Sequence, residues 1–178
     1  MSIAVLSLVL LAAAMHAAWN ALVKQANDRL FMMSAMSAVG IPAGLAVLPF
    51  AAAPATASWP YLALTTAIHA GYYLFLLRTY RIGDLSQVYP IARGGSPLLL
   101  ALVSGPLIGE HLSEQQYAGV LLISLGLASL SLGRGNRRAI LYAFGTACFI
   151  AAYSAVDALG VRLSESALGY IAWLFLID

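Results

Sequence analysis

One arginine lies inside an otherwise apolar stretch of the sequence. Arg93 follows Tyr89 by four residues and precedes Ser96 by three, so these side chains share one face of a predicted helix. Pro90 and Pro97 interrupt this helix, and each removes a backbone hydrogen bond, which frees carbonyl groups to line a cavity. A guanidinium in this setting can bind a carboxylate or a phosphate through paired hydrogen bonds. It can instead extend towards the polar end of the helix, about 10 Å away, and the sequence leaves both interpretations open.

Two further predicted helices carry polar and aromatic side chains at helical spacing. These candidate binding residues are His16, Trp19 and Asn20 in the first helix and His69, Tyr72 and Tyr73 in the second. A histidine can hold a ligand or a proton, and a tyrosine can stack on a substrate, although side chains that only pack have the same spacing. Together with Tyr89, Arg93 and Ser96 they form the predicted substrate-binding set.

The composition limits the class of protein that these helices can build. The 178 residues are 62% hydrophobic and 9% charged, with a mean hydropathy of +0.87. A soluble domain is about 45–50% apolar and about 25% charged, which argues against a soluble enzyme. The lone Cys148 argues against a disulfide scaffold, and the lack of a basic stripe argues against a nucleic-acid partner. The prediction is an all-α, polytopic membrane helix bundle whose partner is the lipid bilayer.

Seven apolar stretches predict helices at 2–23, 30–52, 60–79, 86–108, 115–133, 138–157 and 166–178. The predicted N-terminal caps are Asp28, Ser58 (with Pro60 in the first turn of its helix), and Ser164 or Ser166. Two capping boxes are also predicted, one formed by Asp84 with Gln87 and the other by Ser113 with Gln116. No Asp or Glu is expected deep inside any span to pair with Arg93. A span needs roughly 20 apolar residues, so the last stretch is too short and the chain is expected to be truncated.

Basic residues predict the orientation in the membrane. The loops after the first, third and fifth spans hold seven of them, namely Lys24, Arg29, Arg78, Arg81, Arg134, Arg137 and Arg138. The loop after the sixth span holds only Arg162. Short loops rich in Lys and Arg stay in the cytoplasm, so this tally places the seven residues inside and Met1 outside.

The sequence lacks the motifs of the common enzyme classes. It has no HExxH, no GxSxG, no Cys/His metal cluster and no Walker loop. We therefore expect no enzymatic activity, no cofactor and no metal. Proton coupling would have only His16, His69 or Glu110 to use.

A faint internal repeat relates the two ends of the chain. Residues 17–21 (AAWNA) align with residues 151–155 (AAYSA), and each segment lies late in a helix before a charged loop. Five predicted spans separate the copies, and an odd number reverses direction across the membrane. This is the pattern of an inverted-topology repeat.

Several motifs in the middle of the chain carry a resemblance to a known family. The stretch 80–93 (YRIGDLSQVYPIAR), followed by SPLL at 96–99, GEHLS at 109–113 and QYAG at 116–119, resembles the EamA family of the drug/metabolite transporter superfamily. The segment 16–24 (HAAWNALVK) is similar to the end of that family's first helix. The resemblance covers residues 1–133 as one five-helix repeat, and 134–178 resemble the truncated start of a second repeat.

This resemblance implies a multi-pass protein of the cytoplasmic (inner) membrane that exports small metabolites by alternating access between inverted repeats. The residues that fall on the family's motifs are Tyr89, Pro90 and Arg93 in helix 4, Trp19, Asn20 and Lys24 in helix 1, and Glu110 at a structural turn. An anionic or amino-acid-like substrate would bind at Arg93. The alternative is a nonfunctional or structural membrane fragment that needs a second copy, or a missing second half, to transport anything.

Overall fold

The computed structural model describes residues 3–25, 28–131 and 136–178. Within these ranges all regular secondary structure is helical, and the helices in chain order are α1 (Ile3–Gln25), α2 (Arg29–Val47), α3 (Trp59–Ile82), α4 (Leu85–Val103), α5 (Glu114–Ser129), α6 (Arg137–Leu163) and α7 (Ala167–Ile177). Short 3-10 turns at Leu48–Phe50 and Thr56–Ser58 join α2 to α3, and a π-helical turn at Ser104–Ile108 continues α4. The predicted all-α class is confirmed for the described residues.

The chain divides into two compact units, 1–40 and 41–178. The first unit contains α1 and most of α2. The second contains the end of α2 and every helix from α3 to α7. The second unit holds all the described side chains of the candidate site.

Side-chain caps explain why several helices begin where they do. Asp28 accepts a hydrogen bond from the backbone N–H of Phe31, and Ser166 accepts one from Gly169. The predicted capping box of Ser113 and Gln116 is complete, with both reciprocal hydrogen bonds formed. These caps satisfy N–H groups that the first turn of a helix leaves without partners.

One predicted cap and one predicted capping box are wrong. Ser58 precedes α3, but its hydroxyl donates to the carbonyl of Ala55 and caps no N–H group. Asp84 does cap α4, whereas Gln87 forms no capping box because its amide donates to the carbonyl of Ser131 at 3.2 Å. The hydroxyl of Ser131 donates in return to the carbonyl of Gln87 at 2.9 Å. This reciprocal pair joins α4 to the end of α5, a contact that local sequence spacing cannot reveal.

Helices α3 and α6 run antiparallel along most of their length. The hydroxyls of Thr79 and Thr146 lie 3.3 Å apart in the buried interface, and further along the same interface the rings of His69 and Tyr153 are 4.2 Å apart. Helix α4 packs parallel to α6. Gly95 in α4 lies beside Ala147 in α6. Further along both helices, Arg162 near the C-terminal end of α6 donates to the carbonyl of Ile108 in the π-helical turn that follows α4. The core of the second unit is therefore built from α3, α4 and α6.

Helix α5 packs antiparallel on α4 through close backbone contact. The hydroxyl of Ser124 donates to the carbonyl of Gly94 at 2.7 Å, and the hydroxyl of Tyr117 approaches the carbonyl of Ala101 at 3.3 Å. A Cβ atom at Gly94 would lie 2.7 Å from the Cβ of Leu127, so glycine is required for the helices to approach this closely.

The surface of the second unit is apolar while many of its buried positions are polar. Residues with 46–74% of their surface exposed include Leu121, Leu122, Ile123 and Leu125 of α5. The buried polar residues include Thr65, Thr79, Ser96, Ser104, Ser124 and Thr146. Large exposed apolar patches are rare on soluble domains.

Two helices of the described residues are long and apolar enough to cross a membrane. They are Leu85–Ile108, which joins α4 to its π-helical turn, and Arg137–Leu163, which is α6. Shorter apolar helical segments occur at Ile3–Met15, Ala38–Phe50 and Ala167–Ile177.

Candidate functional site

An aromatic cluster forms where the middle of α3 packs against α6. Its members are His69, Tyr72, Tyr73 and Tyr153. The ring centres of Tyr72 and Tyr73 are 5.2 Å apart, and those of Tyr72 and Tyr153 are 5.8 Å apart in an edge-to-face arrangement. Helical spacing predicted the three residues of α3. The fourth, Tyr153, is distant in sequence and joins them only through the α3–α6 packing.

The guanidinium of Arg93 lies among tyrosines. Its central carbon is 5.8 Å from the ring centre of Tyr89 on the preceding turn, within the range of a cation–π contact. The side chains of Tyr72, Tyr153 and Tyr80 also lie near enough to contribute to its electrostatic surroundings. Of the two interpretations open at the sequence level, this placement favours a side chain directed into the bundle.

No carboxylate among the described residues lies within salt-bridge distance of Arg93. Arg93 is half-buried, and a guanidinium that loses part of its water without gaining a counterion is costly inside a helix bundle. Tyrosine hydroxyls and ring faces offset part of this cost but carry no formal negative charge. An anionic ligand would supply the missing charge.

The prolines of α4 lie on either side of Arg93, inside the helix, as predicted. Pro97 cannot donate to the carbonyl of Arg93, and the hydroxyl of Ser96 approaches that carbonyl at 3.4 Å. The predicted binding residue Ser96 is itself buried, and its hydroxyl is directed at the backbone of its own helix.

Asp157 is a site residue that the sequence interpretation missed. Helix α6 continues to Leu163, so Asp157 lies six residues before its end and not at the end of the span. Asp157 therefore lies inside α6, although it forms no ion pair with Arg93. Asp157 is also one helical turn beyond Tyr153, on the same face of α6. The signal in the sequence was the apolar run 158–161, which shows that the helix continues past the charge.

The Asp157 carboxylate contacts two neighbouring helices. The hydroxyl of Tyr170 in α7 donates to it at 3.0 Å. The hydroxyl of Thr65 in α3 lies close to the same carboxylate. Thr65 is fully buried, and its hydroxyl forms no well-aligned hydrogen bond with any described residue.

A second acidic group approaches the aromatic cluster from α7. Asp178 Oδ1 lies 2.9 Å from Nδ1 of His69, and both side chains are largely buried, with exposed fractions of 19% and 13%. An edge-to-face pair of Trp59 and Trp173, with ring centres 5.0 Å apart, holds α7 against α3. The aromatic cluster, Arg93, Asp157 and Asp178 thus form one continuous polar region, which we call the central site.

Charged residues also mark the two ends of the second unit. Arg78, whose guanidinium carbon lies 6.0 Å from the ring centre of Tyr142, is near the start of α6. At the opposite end, Arg162 pairs with Glu110 and donates to the carbonyl of Ile108 at 2.9 Å. Gly109 has φ 71°, so the turn that presents Glu110 uses a left-handed backbone conformation. The structure thus places the predicted structural turn at an interhelical contact.

The side chains of His16, Trp19, Asn20 and Lys24 lie outside the described residues, so their predicted roles stay predictions. In the described ranges, no group of three or more His, Cys, Asp or Glu residues could hold a metal ion. Comparison of the chain with protein-family models, with curated proteins and with solved structures finds no match.

Proposed function

We propose that this chain is a multi-pass protein of the cytoplasmic (inner) membrane that transports small anionic metabolites, in the manner implied by its resemblance to the EamA family. The apolar exterior of α5 supports the membrane setting, because leucine side chains exposed to this extent are favourable in lipid and unfavourable in water. The buried hydroxyl groups and the central site then form the polar interior that a transport pathway requires.

The observation that carries this proposal is the unpaired guanidinium of Arg93 within a shell of tyrosines. A cation near the centre of a membrane helix costs about 2.5–3.5 kcal/mol on insertion scales. A carboxylate or phosphate of a substrate offsets that cost through charge-assisted hydrogen bonds. The rings of Tyr72, Tyr73 and Tyr153 offer faces on which an apolar or aromatic part of the same substrate can stack.

Alternating access needs a helix that can change shape around the bound substrate. Helix α4 carries two prolines on either side of Arg93 and ends in a π-helical turn. Such interruptions leave backbone groups that rearrange at lower cost than those of a regular helix. We propose that α4 bends and so exposes Arg93 first to one side of the membrane and then to the other. The family resemblance implies that the substrate is exported.

Transport by the purified full chain in liposomes tests this proposal. The probes are radiolabelled benzoate, succinate and L-phenylalanine, which represent an aromatic acid, a dicarboxylate and an amino acid. We expect Arg93→Leu to abolish uptake of every probe that the native chain transports. The matched control is Arg81→Leu, which removes an exposed arginine at the end of α3 and leaves the central site intact. Equal uptake by the native chain and Arg93→Leu would refute the proposed role of Arg93.

A further inference from the structure

We propose that the Asp157 carboxylate is a proton-binding site coupled to the anion site at Arg93, so that a bound proton and a bound anion strengthen each other's binding. This inference rests on the proposed function and adds a proton site to it. The sequence offered only His16, His69 and Glu110 for such a role. The structure adds an acid inside α6 that lies between two other helices.

The surroundings of Asp157 suit a carboxylate that gains and loses a proton. It is partly buried and makes no ion pair with any Lys or Arg among the described residues. The Tyr170 hydroxyl donates to it at 3.0 Å, which stabilises the ionised form. The fully buried Thr65 hydroxyl lies close and has no hydrogen-bond partner among the described residues, and a hydroxyl can donate to the ionised carboxylate or accept from the neutral acid.

The other titratable groups at this site come from three helices. Helix α3 contributes His69, α7 contributes Tyr170 and Asp178, and α6 itself contributes Tyr153. A proton gained by any carboxylate or imidazole in this region makes the central site more positive. All of these groups therefore act in the same direction, and a lower pH favours an anion at Arg93.

Tyr153 links the proton site to the anion site. It lies near Arg93 and packs against Tyr72, and Asp157 follows it by one turn of α6, about 6 Å along the axis. An anion bound at Arg93 would lie on the order of 10 Å from the Asp157 carboxylate. With an effective dielectric constant of about 20, removal of the repulsion between two such charges strengthens anion binding by about tenfold. By linkage, the anion strengthens proton binding by the same factor.

Two measurements on the purified full chain test the coupling. The first is equilibrium binding of radiolabelled benzoate at about pH 8 and about pH 5, a range that brackets protonation of perturbed carboxylates and histidines. We expect the native chain to bind benzoate about tenfold more tightly at the lower pH. Asp157→Asn, which mimics the protonated acid, should bind more tightly than the native chain at the higher pH and should show a smaller difference between the two pH values, because only His69 and Asp178 remain to contribute. Asp28→Asn is the matched control, because Asp28 is an exposed helix cap and asparagine caps equally well; it should behave like the native chain.

The second measurement needs no ligand. Infrared difference spectra between the two pH values should contain a carboxylic-acid band that Asp157→Asn removes and Asp28→Asn retains. Asp157→Glu, which keeps the titratable group, should restore the band if the asparagine variant folds poorly.

The outcomes separate the two proposals. Absence of a carboxyl band assigned to Asp157 would overturn the proton site even if benzoate binds. The same conclusion follows if benzoate binding is independent of pH, or weaker at low pH. Failure of the native chain to bind benzoate at either pH would overturn the proposed anion site and its coupling, while the infrared titration would still decide whether Asp157 binds a proton.

Discussion

The contact between α4 and α5 gives a quantitative test of the packing that positions Arg93. Gly94 directly follows Arg93, and a Cβ atom added there would lie 2.7 Å from the Cβ and 3.2 Å from the Cδ1 of Leu127. Carbon atoms in contact prefer a separation of about 3.5–4.0 Å. Since a Cβ is fixed to the backbone, Gly94→Ala forces the two helices apart by about 1 Å.

The expected cost of this substitution follows from three contributions. Overpacking of this kind destabilises a core by about 1–3 kcal/mol. Separation of the helices also weakens the 2.7 Å hydrogen bond from Ser124 to the Gly94 carbonyl, which is worth about 1 kcal/mol. Alanine is favoured over glycine inside a helix by about 0.5–1 kcal/mol. We therefore expect Gly94→Ala to lower the free energy of unfolding by about 1–3 kcal/mol.

Reversible unfolding of the chain in detergent, followed by circular dichroism, measures this difference. The control is Gly126→Ala in α5, where an added Cβ meets no atom within 4 Å, so the helix preference alone should act and stability should be unchanged or slightly raised. Leu127→Gly should rescue Gly94→Ala, whereas Leu127→Ala should rescue it poorly because the clashing Cβ remains. Equal stability of Gly94→Ala and Gly126→Ala would refute the close approach of α4 and α5.

Two further predictions concern the ends of the bundle. Glu110→Gln breaks the exposed ion pair between Glu110 and Arg162 and should lower the free energy of unfolding by less than about 1 kcal/mol. Added salt should reduce this difference, because salt screens exposed charges. A loss of several kcal/mol would contradict the prediction. In a Cys148→Ser background, a cysteine replacing Arg137 should react with a membrane-impermeant thiol reagent only from the cytoplasmic side, and one replacing Ser113 only from the opposite side. Reaction of both from one side would overturn the orientation.

Local signals explain why the helices were predictable from the sequence. Most of the apolar runs are long, and caps such as Asp28 and Ser113 act within three residues of the helix start. The same signals failed where a side chain had a distant partner. Gln87 has the spacing of a capping box, yet the carbonyl of Ser131 is available to it once α5 packs on α4.

The central site could be predicted only in part for the same reason. Helical spacing on α3 identifies His69, Tyr72 and Tyr73, because residues three and four apart share a face. It cannot show that Tyr153 completes the cluster, since that depends on the antiparallel register of α3 and α6. Asp157 was missed because a charge at the end of an apolar run was interpreted as the end of the helix.

The central claim is that Arg93 binds the anionic group of a substrate inside the bundle. Equilibrium binding of radiolabelled benzoate to the purified native chain, to Arg93→Leu and to Arg81→Leu tests it most directly. We predict saturable binding to the native chain and to Arg81→Leu, and none to Arg93→Leu. Equal binding to all three, or to none, would contradict the claim.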